Sequence, residues 1–319
     1  MKYEARVTLT KVQYTGDNVG RNLRLKLTIG EKTEEFGFEL PAGQTRAFDK
    51  LVYKEQTDSN SVALSASAAA TERDPVYADT GSGSGTLRFS ATSETEATLE
   101  VELQGDARGD KSKKAKLVLT FKGILRSIGE RFVSMVQPEG WLKIKHEDSV
   151  TYPKILPFGL RVKVTSNDGE REYFDIEEGQ LKGKKGSVVL KDDGSSYLQE
   201  KNPQTGPISL HFSKRDNILT MDGVRYWAVT DPGNPVPSGT FDLEIAYELH
   251  SAASSYRDRA VYARTWFRIG HSGDRFLHTG SISTGCVTVR QVDRWDEICS
   301  RAFIARKDQR SIGQIVIGQ

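Results

Sequence analysis

The sequence predicts a mainly β protein: an N-terminal β-sandwich, a small β unit in the middle and a C-terminal β domain with one helix. Short runs in which apolar and polar residues alternate recur through most of the chain, the mark of half-buried strands. Clusters rich in Gly, Asn and Asp separate these runs, as turns require. In the last third Val292, Trp295, Cys299 and Phe303 share one face of a helix over 292–306. The chain has 319 residues, which corresponds to roughly two or three domains at the usual ~100–200 residues each.

Residues 1–123 form the sandwich. The stretches 5–12, 23–29, 86–89, 98–103 and 116–121 alternate apolar with polar, and turn signals fall at 15–18, 29–32 and 105–109. Residues 54–85 are rich in Ser, Ala and Thr and end in Gly81-Ser-Gly-Ser-Gly, read as a flexible loop because the Lys and helix of a phosphate loop are missing. Asp17, Asp106 and Asp110 read as solvated turn residues, since no dense Asp-x-Asp calcium loop is present. From Ile124 the period changes: Ile124, Leu125, Ile128, Phe132 and Val136 predict a connecting helix over 124–139. Residues 140–205 return to short strands at 141–145, 160–164 and 187–190, a small β unit whose 182–186 run reads as a solvated hairpin tip. Residues 206–319 make the last domain, with strands at 208–213, 218–221, 224–230, 240–245, 265–269, 275–278, 286–289 and 315–317 around the one helix.

The overall charge gives no support to nucleic acid or an anionic membrane as partner, which only a local patch could attract. With 45 Lys+Arg against 43 Asp+Glu the net charge is +2, so no global field draws the chain to nucleic acid or to an anionic membrane. No stretch approaches the ~18 apolar residues of a membrane span. The N-terminus carries Lys2, Glu4, Arg6 and Lys11 and lacks the ~7–15-residue apolar core of a signal peptide. The expectation is synthesis in the cytoplasm without a standard export signal. Two cysteines, Cys286 and Cys299, exclude a disulfide scaffold and a four-thiolate metal site.

One segment carries the materials of nucleophilic catalysis. A catalytic thiol needs a base for its proton, donors for an oxyanion and a turn that presents the sulfur. The 279–286 segment, Thr-Gly-Ser-Ile-Ser-Thr-Gly-Cys, supplies the turn, and Gly285 permits close backbone approach beside Cys286. The amides of Gly285 and Cys286 are candidate oxyanion donors. His278 lies eight residues before Cys286, at the end of a strand that can pair beside the one Cys286 begins. From these residues alone, an inert buried thiol remains the alternative.

The wider string is more specific. Asp231-Pro-Gly-Asn-Pro-Val-Pro-Ser-Gly-Thr-Phe, then Phe276-Leu-His-Thr-Gly and Ser283-Thr-Gly-Cys-Val-Thr, resemble the YkuD-type L,D-transpeptidase family, whose domains carry P-T-P-x-G-x-F, then H-G, then S-x-G-C-x-R. The resemblance covers about residues 206–319. It implies that Cys286 is the nucleophile, His278 its base, and Ser283 and Gly285 the turn before the thiol. It further implies that the Thr279 carbonyl orients the imidazole and that Pro237, Gly239 and Phe241 form the upstream structural motif.

Three departures accompany the resemblance. The loop from His278 to Cys286 is shorter than is usual in the family, which makes His271 a rival base. Thr284 stands where a second histidine or another polar residue often sits. Thr288 replaces the arginine after Gly-Cys-Val, so a substrate carboxylate needs another partner. Between Tyr256 and Arg310 eleven Lys and Arg face six Asp and Glu, and Arg268 and Arg275 flank the motif most closely; a guanidinium fork suits a carboxylate. Trp266 and Tyr262 are candidates to line a peptide groove, and Cys299 reads as a buried inert thiol.

What the resemblance implies is acyl transfer on peptidoglycan stem peptides, by L,D-transpeptidation or exchange, or by L,D-carboxypeptidation, through a thioester and with no metal or organic cofactor. Such a substrate lies in the periplasm or cell wall. A leaderless enzyme for it suggests specialised secretion, as with an antibacterial type VI secretion effector, a toxin with a secretion-machine partner and an immunity protein. The competing reading is a non-catalytic binding protein for cell wall or partner, with a decayed site. A papain-like peptidase is disfavoured because its cysteine begins a helix, not a strand.

Overall fold

The computed structural model describes residues 2–72, 78–91, 95–105, 112–146 and 154–319. The chain is mainly β, and the helix near its C-terminus, α1 (Trp295–Ile304), is the one α-helix among the described residues. None of the described helices is long and apolar enough to cross a membrane. Two compact units divide the chain: Met1–Ile128 with Asn167–Gly169, and Gly129–Ser166 with Glu170–Gln319.

The first unit consists of β1 (Lys2–Gly16), β2 (Asn22–Ile29), β3 (Lys32–Glu39), β4 (Thr45–Thr57), β5 (Ser61–Glu72), β6 (Thr80–Ser90), β7 (Thr95–Gln104) and the first part of β8 (Lys114–Val133). They pair antiparallel in the order β4-β1-β8-β7-β6-β5-β2-β3. Leu23, Leu25, Leu27 and Ile29 of β2 point into one core with Leu117, Leu119 and Phe121 of β8, while Arg24 and Lys26 stay outside. The rings of Phe38 on β3 and Phe48 on β4 lie 5.2 Å apart and join the two ends of the strand order over that core.

Two expectations about this region change. Residues 81–85 are not a loop but part of β6, which pairs with β5 along its length. A Cβ on Gly81 or Gly83 would come within 1.9 or 1.8 Å of a β7 carbonyl, so these glycines serve close strand approach. Asp17 is exposed at a bend, in keeping with a solvated turn residue, and its Oδ2 accepts the Lys114 amide at 2.9 Å; Asp106 and Asp110 lie outside the described residues, as does most of the 105–109 turn. The connecting helix over 124–139 is absent: β8 runs through to Val133, and Lys2↔Ile128 continues its ladder with β1. The inward-facing set shifts parity between Leu125 and Ile128, which imitates a helical spacing, and a neighbouring strand to bond with decides the outcome.

The second unit begins with β9 (Trp141–His146), β10 (Lys154–Pro157), β11 (Arg161–Asn167), β12 (Arg171–Ile176), β13 (Lys185–Val189) and β14 (Leu198–Gln199), in the order β10-β9-β13-β12-β11. Its C-terminal sheet holds β15 (Ile208–Ser213), β16 (Ile218–Met221), β17 (Val224–Val229), β18 (Gly239–Glu244), β19 (Phe267–Arg268), β20 (Phe276–Thr279), β21 (Val287–Val289) and β22 (Ser311–Gly318), in the order β18-β22-β15-β16-β17-β21-β20-β19. By compactness, residues 140–166 and 170–205 group with 206–319. Phe303 of α1 gathers Trp141, Phe158 and Tyr262 around its ring, and Arg306 meets Glu178 at 3.0 Å, both side chains buried. Val292, Trp295, Cys299 and Phe303 are all buried, the face that the sequence spacing marks out.

Candidate active site

Strands β20 and β21 run parallel, with Leu277↔Val287, His278↔Thr288 and Thr279↔Val289 opposite one another. Successive side chains of a strand alternate between faces. Leu277, Val287 and Val289 therefore share the apolar face, while His278 and Thr288 share the other with Phe276 and Cys286, each two residues earlier in the chain. Strand β19 pairs antiparallel through Phe267↔Leu277, which brings Trp266 opposite His278. The two rings stack with centroids 4.2 Å apart.

The connection between these parallel neighbours is only residues 280–286, where a parallel crossover usually takes a dozen or more. Such a tight return needs backbone that L side chains rarely adopt, and Gly285 has φ 102°. A Cβ there would also meet Arg275 Nη1 at 2.4 Å. That nitrogen donates to the Gly285 carbonyl at 2.6 Å, and Nη2 donates to Asn234 Oδ1 at 2.9 Å. Asn234 Nδ2 reaches the Thr284 carbonyl at 3.5 Å. Arg275 thus fastens the 231–236 loop to the turn before the cysteine. Ser283 Oγ donates to the Cys286 carbonyl at 2.9 Å, bracing the same turn. Pro237 precedes β18, and Gly239 and Phe241 lie on it, with Phe241 opposite Ile315.

Cys286 and His278 are each 5% exposed and line one cavity of about 250 Å³ together with Trp266, Tyr256, Ile282 and Thr284. The tautomer of the ring follows from its partners. Nδ1 lies 2.9 Å from the Thr279 carbonyl, which can only accept, so Nδ1 carries the hydrogen and Nε2 the lone pair. Thr288 Oγ1 lies 3.1 Å from Nε2. Burial pulls the imidazole down to about 4, against the Thr279 hydrogen bond, and His250 lowers it further. Among the described residues, the sulfur accepts the Phe276 amide at 3.4 Å and faces the Asp274 carbonyl at 3.8 Å. Burial pushes the thiol up, while the Phe276 amide and the Arg275 charge act the other way. At neutral pH the thiol is protonated and the imidazole neutral, and the hydrogen-bond partners of the sulfur among the described residues are backbone groups, not the ring.

Other expected site residues are not among those lining the cavity. His271 faces Asp242 at 3.5 Å and Glu244 at 3.7 Å and bonds Ser311 at 3.3 Å. Arg268 faces the same Glu244 at 3.7 Å and donates to the Tyr247 hydroxyl. Glu244 is fully buried and also takes Arg310 at 3.1 Å, so both groups are drawn to an internal carboxylate, His271 as a partner there and not at Cys286. Tyr262, partly buried, packs its ring 5.3 Å from Phe303 and donates its hydroxyl to Met135 Sδ, and it is not among the residues that line the Cys286 cavity. Cys299 is fully buried and its thiol is pushed well up by burial; both cysteines are free.

Three neighbours of the site carry no sequence signal of their own. His250 stacks on Trp266 at 4.2 Å, so one indole contacts two imidazoles. Tyr256 bonds Ser281 and takes its amide at 3.0 Å, fixing the loop over the cavity. Asn234 sits inside the Asp231–Phe241 motif, but the motif by itself does not show that it grips Arg275.

No family model matches the chain, and no curated protein matches it in sequence. Among solved structures it is similar to human GIVD cytosolic phospholipase A2 in complex with methyl gamma-linolenyl fluorophosphonate, at 8% identity and a TM-score of 0.23. That likeness covers 81% of this chain and 36% of the phospholipase chain, and it is too slight to carry fold or activity across.

Proposed function

We propose that the C-terminal domain is a cysteine-dependent acyl transferase of the L,D-transpeptidase kind, acting on peptidoglycan stem peptides. The observation that supports this reading is the parallel pairing that sets Cys286 and His278 on one sheet face, lining one cavity, with the ring's Nδ1 held by the Thr279 carbonyl. Cys286 gives its proton to His278 Nε2 and attacks the carbonyl between the L-centre of the stem and its terminal D-amino acid. Backbone amides of the 285–286 turn receive the oxyanion, and the D-amino acid leaves with the proton from His278. An amine or water then resolves the thioester.

Arg275 is the candidate partner for the substrate carboxylate. Its hydrogen bonds go to neutral oxygens of Gly285 and Asn234, and its charge acts on the sulfur. The proposal extends to delivery as an antibacterial effector into the periplasm or cell wall, with an immunity protein as partner. The experiment is to incubate muropeptides with wild type and Cys286→Ala and follow tetrapeptide by mass spectrometry. Tetrapeptide is consumed by wild type alone; if wild type leaves it unchanged, the enzyme reading is withdrawn.

A second reading, a binding protein with an inert thiol, is favoured by the burial of the sulfur and by its bonds to backbone in place of imidazole. Stoichiometric muropeptide binding without turnover is the outcome that selects it.

A further inference from the structure

Thr288 occupies the position at which the resembled family carries arginine, and the structure gives it a different task. It stands directly opposite His278, two residues beyond Cys286 on the same sheet face. The neutral imidazole has one lone pair, on Nε2, because Nδ1 donates to Thr279. Thr288 Oγ1 is 3.1 Å from that nitrogen and 3.4 Å from the carbonyl of Ile282. A hydroxyl has one hydrogen and serves one of these acceptors at a time. The sulfur, meanwhile, is held by the Phe276 amide and the Asp274 carbonyl.

We infer that Thr288 is a positioning residue that keeps the basic nitrogen of His278 in reserve, competing with the Cys286 thiol for its single lone pair. The inference rests on reading Cys286 and His278 as nucleophile and base. When the site acts, the Thr288 hydroxyl turns about its C–O bond from Nε2 to the Ile282 carbonyl. The S–H bond then breaks, an Nε2–H bond forms, the sulfur keeps the electron pair and the Thr288 O–H bond stays intact.

Ile282 ties this exchange to the cavity. Its carbonyl is the alternative acceptor, while its side chain is 74% exposed and lines the cavity. A ligand seated on that side chain bears on the segment that carries the acceptor. The other groups around the ring are Trp266, which stacks, and His250, with Glu248 and Arg268 acting on His250 electrostatically. Among the described residues, Thr288 is the group that bonds Nε2.

The test compares iodoacetamide labelling of Cys286 at pH 7, read by mass spectrometry, in wild type, Thr288→Val and Thr288→Ser. Loss of the hydroxyl removes about one ordinary hydrogen bond from the neutral ring, so Thr288→Val labels roughly five- to tenfold faster. Thr288→Ser keeps the wild-type rate, and adding His278→Gln to Thr288→Val abolishes the gain. A valine variant that labels at or below the wild-type rate overturns the inference. Nitrogen NMR of wild-type His278 provides a check that needs no variant to fold: the ring must show hydrogen on Nδ1 and an accepting Nε2, and hydrogen on Nε2 overturns the inference. Neither measurement uses muropeptides, so a wild type inactive on tetrapeptide sinks the proposed function alone.

Discussion

The Arg275 guanidinium closes over Gly285, holding its carbonyl at 2.6 Å where any Cβ would stand 2.4 Å from Nη1. One contact thereby fixes the turn that presents Cys286 and brings a positive charge to the sulfur. It also explains why glycine must precede this cysteine.

Gly285→Ala meets both a positive φ and the guanidinium. The backbone strain alone is about 1–2 kcal/mol, and displacement of Arg275 adds to it. The expected result is a urea midpoint lowered accordingly, with tetrapeptide turnover lost. An alanine variant of unchanged midpoint contradicts this account of the turn.

Arg275→Gln removes the positive charge that favours the thiolate. Labelling of Cys286 by iodoacetamide at pH 8 should slow by about two- to fivefold, whereas Cys299, fully buried, stays unlabelled in the folded protein. Mass spectrometry of the peptides separates the two sites.

The burial of His278 makes stability depend on pH. Its folded value is about 4 against an ordinary 6.5, so the unfolded chain binds a proton that the folded one refuses between these limits. Stability is fully present above pH 6.5 and falls as the pH drops towards 4, by up to about 3 kcal/mol. Urea unfolding at pH 7, 5.5 and 4 should show a smaller loss in His278→Gln than in wild type; equal losses rule out this histidine as the source.

Glu178→Gln tests whether residues 140–205 are part of the C-terminal unit. It leaves the Arg306 guanidinium, buried and paired with Glu178 at 3.0 Å, without its carboxylate. Breaking such a pair costs about 3–5 kcal/mol. Strands β9 to β13 and the C-terminal sheet should then lose stability together in hydrogen exchange, and independent behaviour of the two parts refutes their union.

Alternation along β2 and the spacing of Val292, Trp295, Cys299 and Phe303 determine by themselves which face each element buries, because hydrophobic burial acts on the local pattern. The order of His278, Gly285 and Cys286 likewise puts Cys286 on a tight turn between strands. Tertiary structure decided the rest. Whether 124–133 became helix or strand depended on neighbouring edges, β1 along 124–128 and β11 and β14 along 129–133, and the placing of Arg268 and His271 depended on the buried Glu244 carboxylate drawing charge to itself. The stack of His250 on Trp266 and the grip of Asn234 on Arg275 join residues far apart in sequence. Their partners are set by which strands pair and in which register, a property of the assembled sheet that no local run of residues contains.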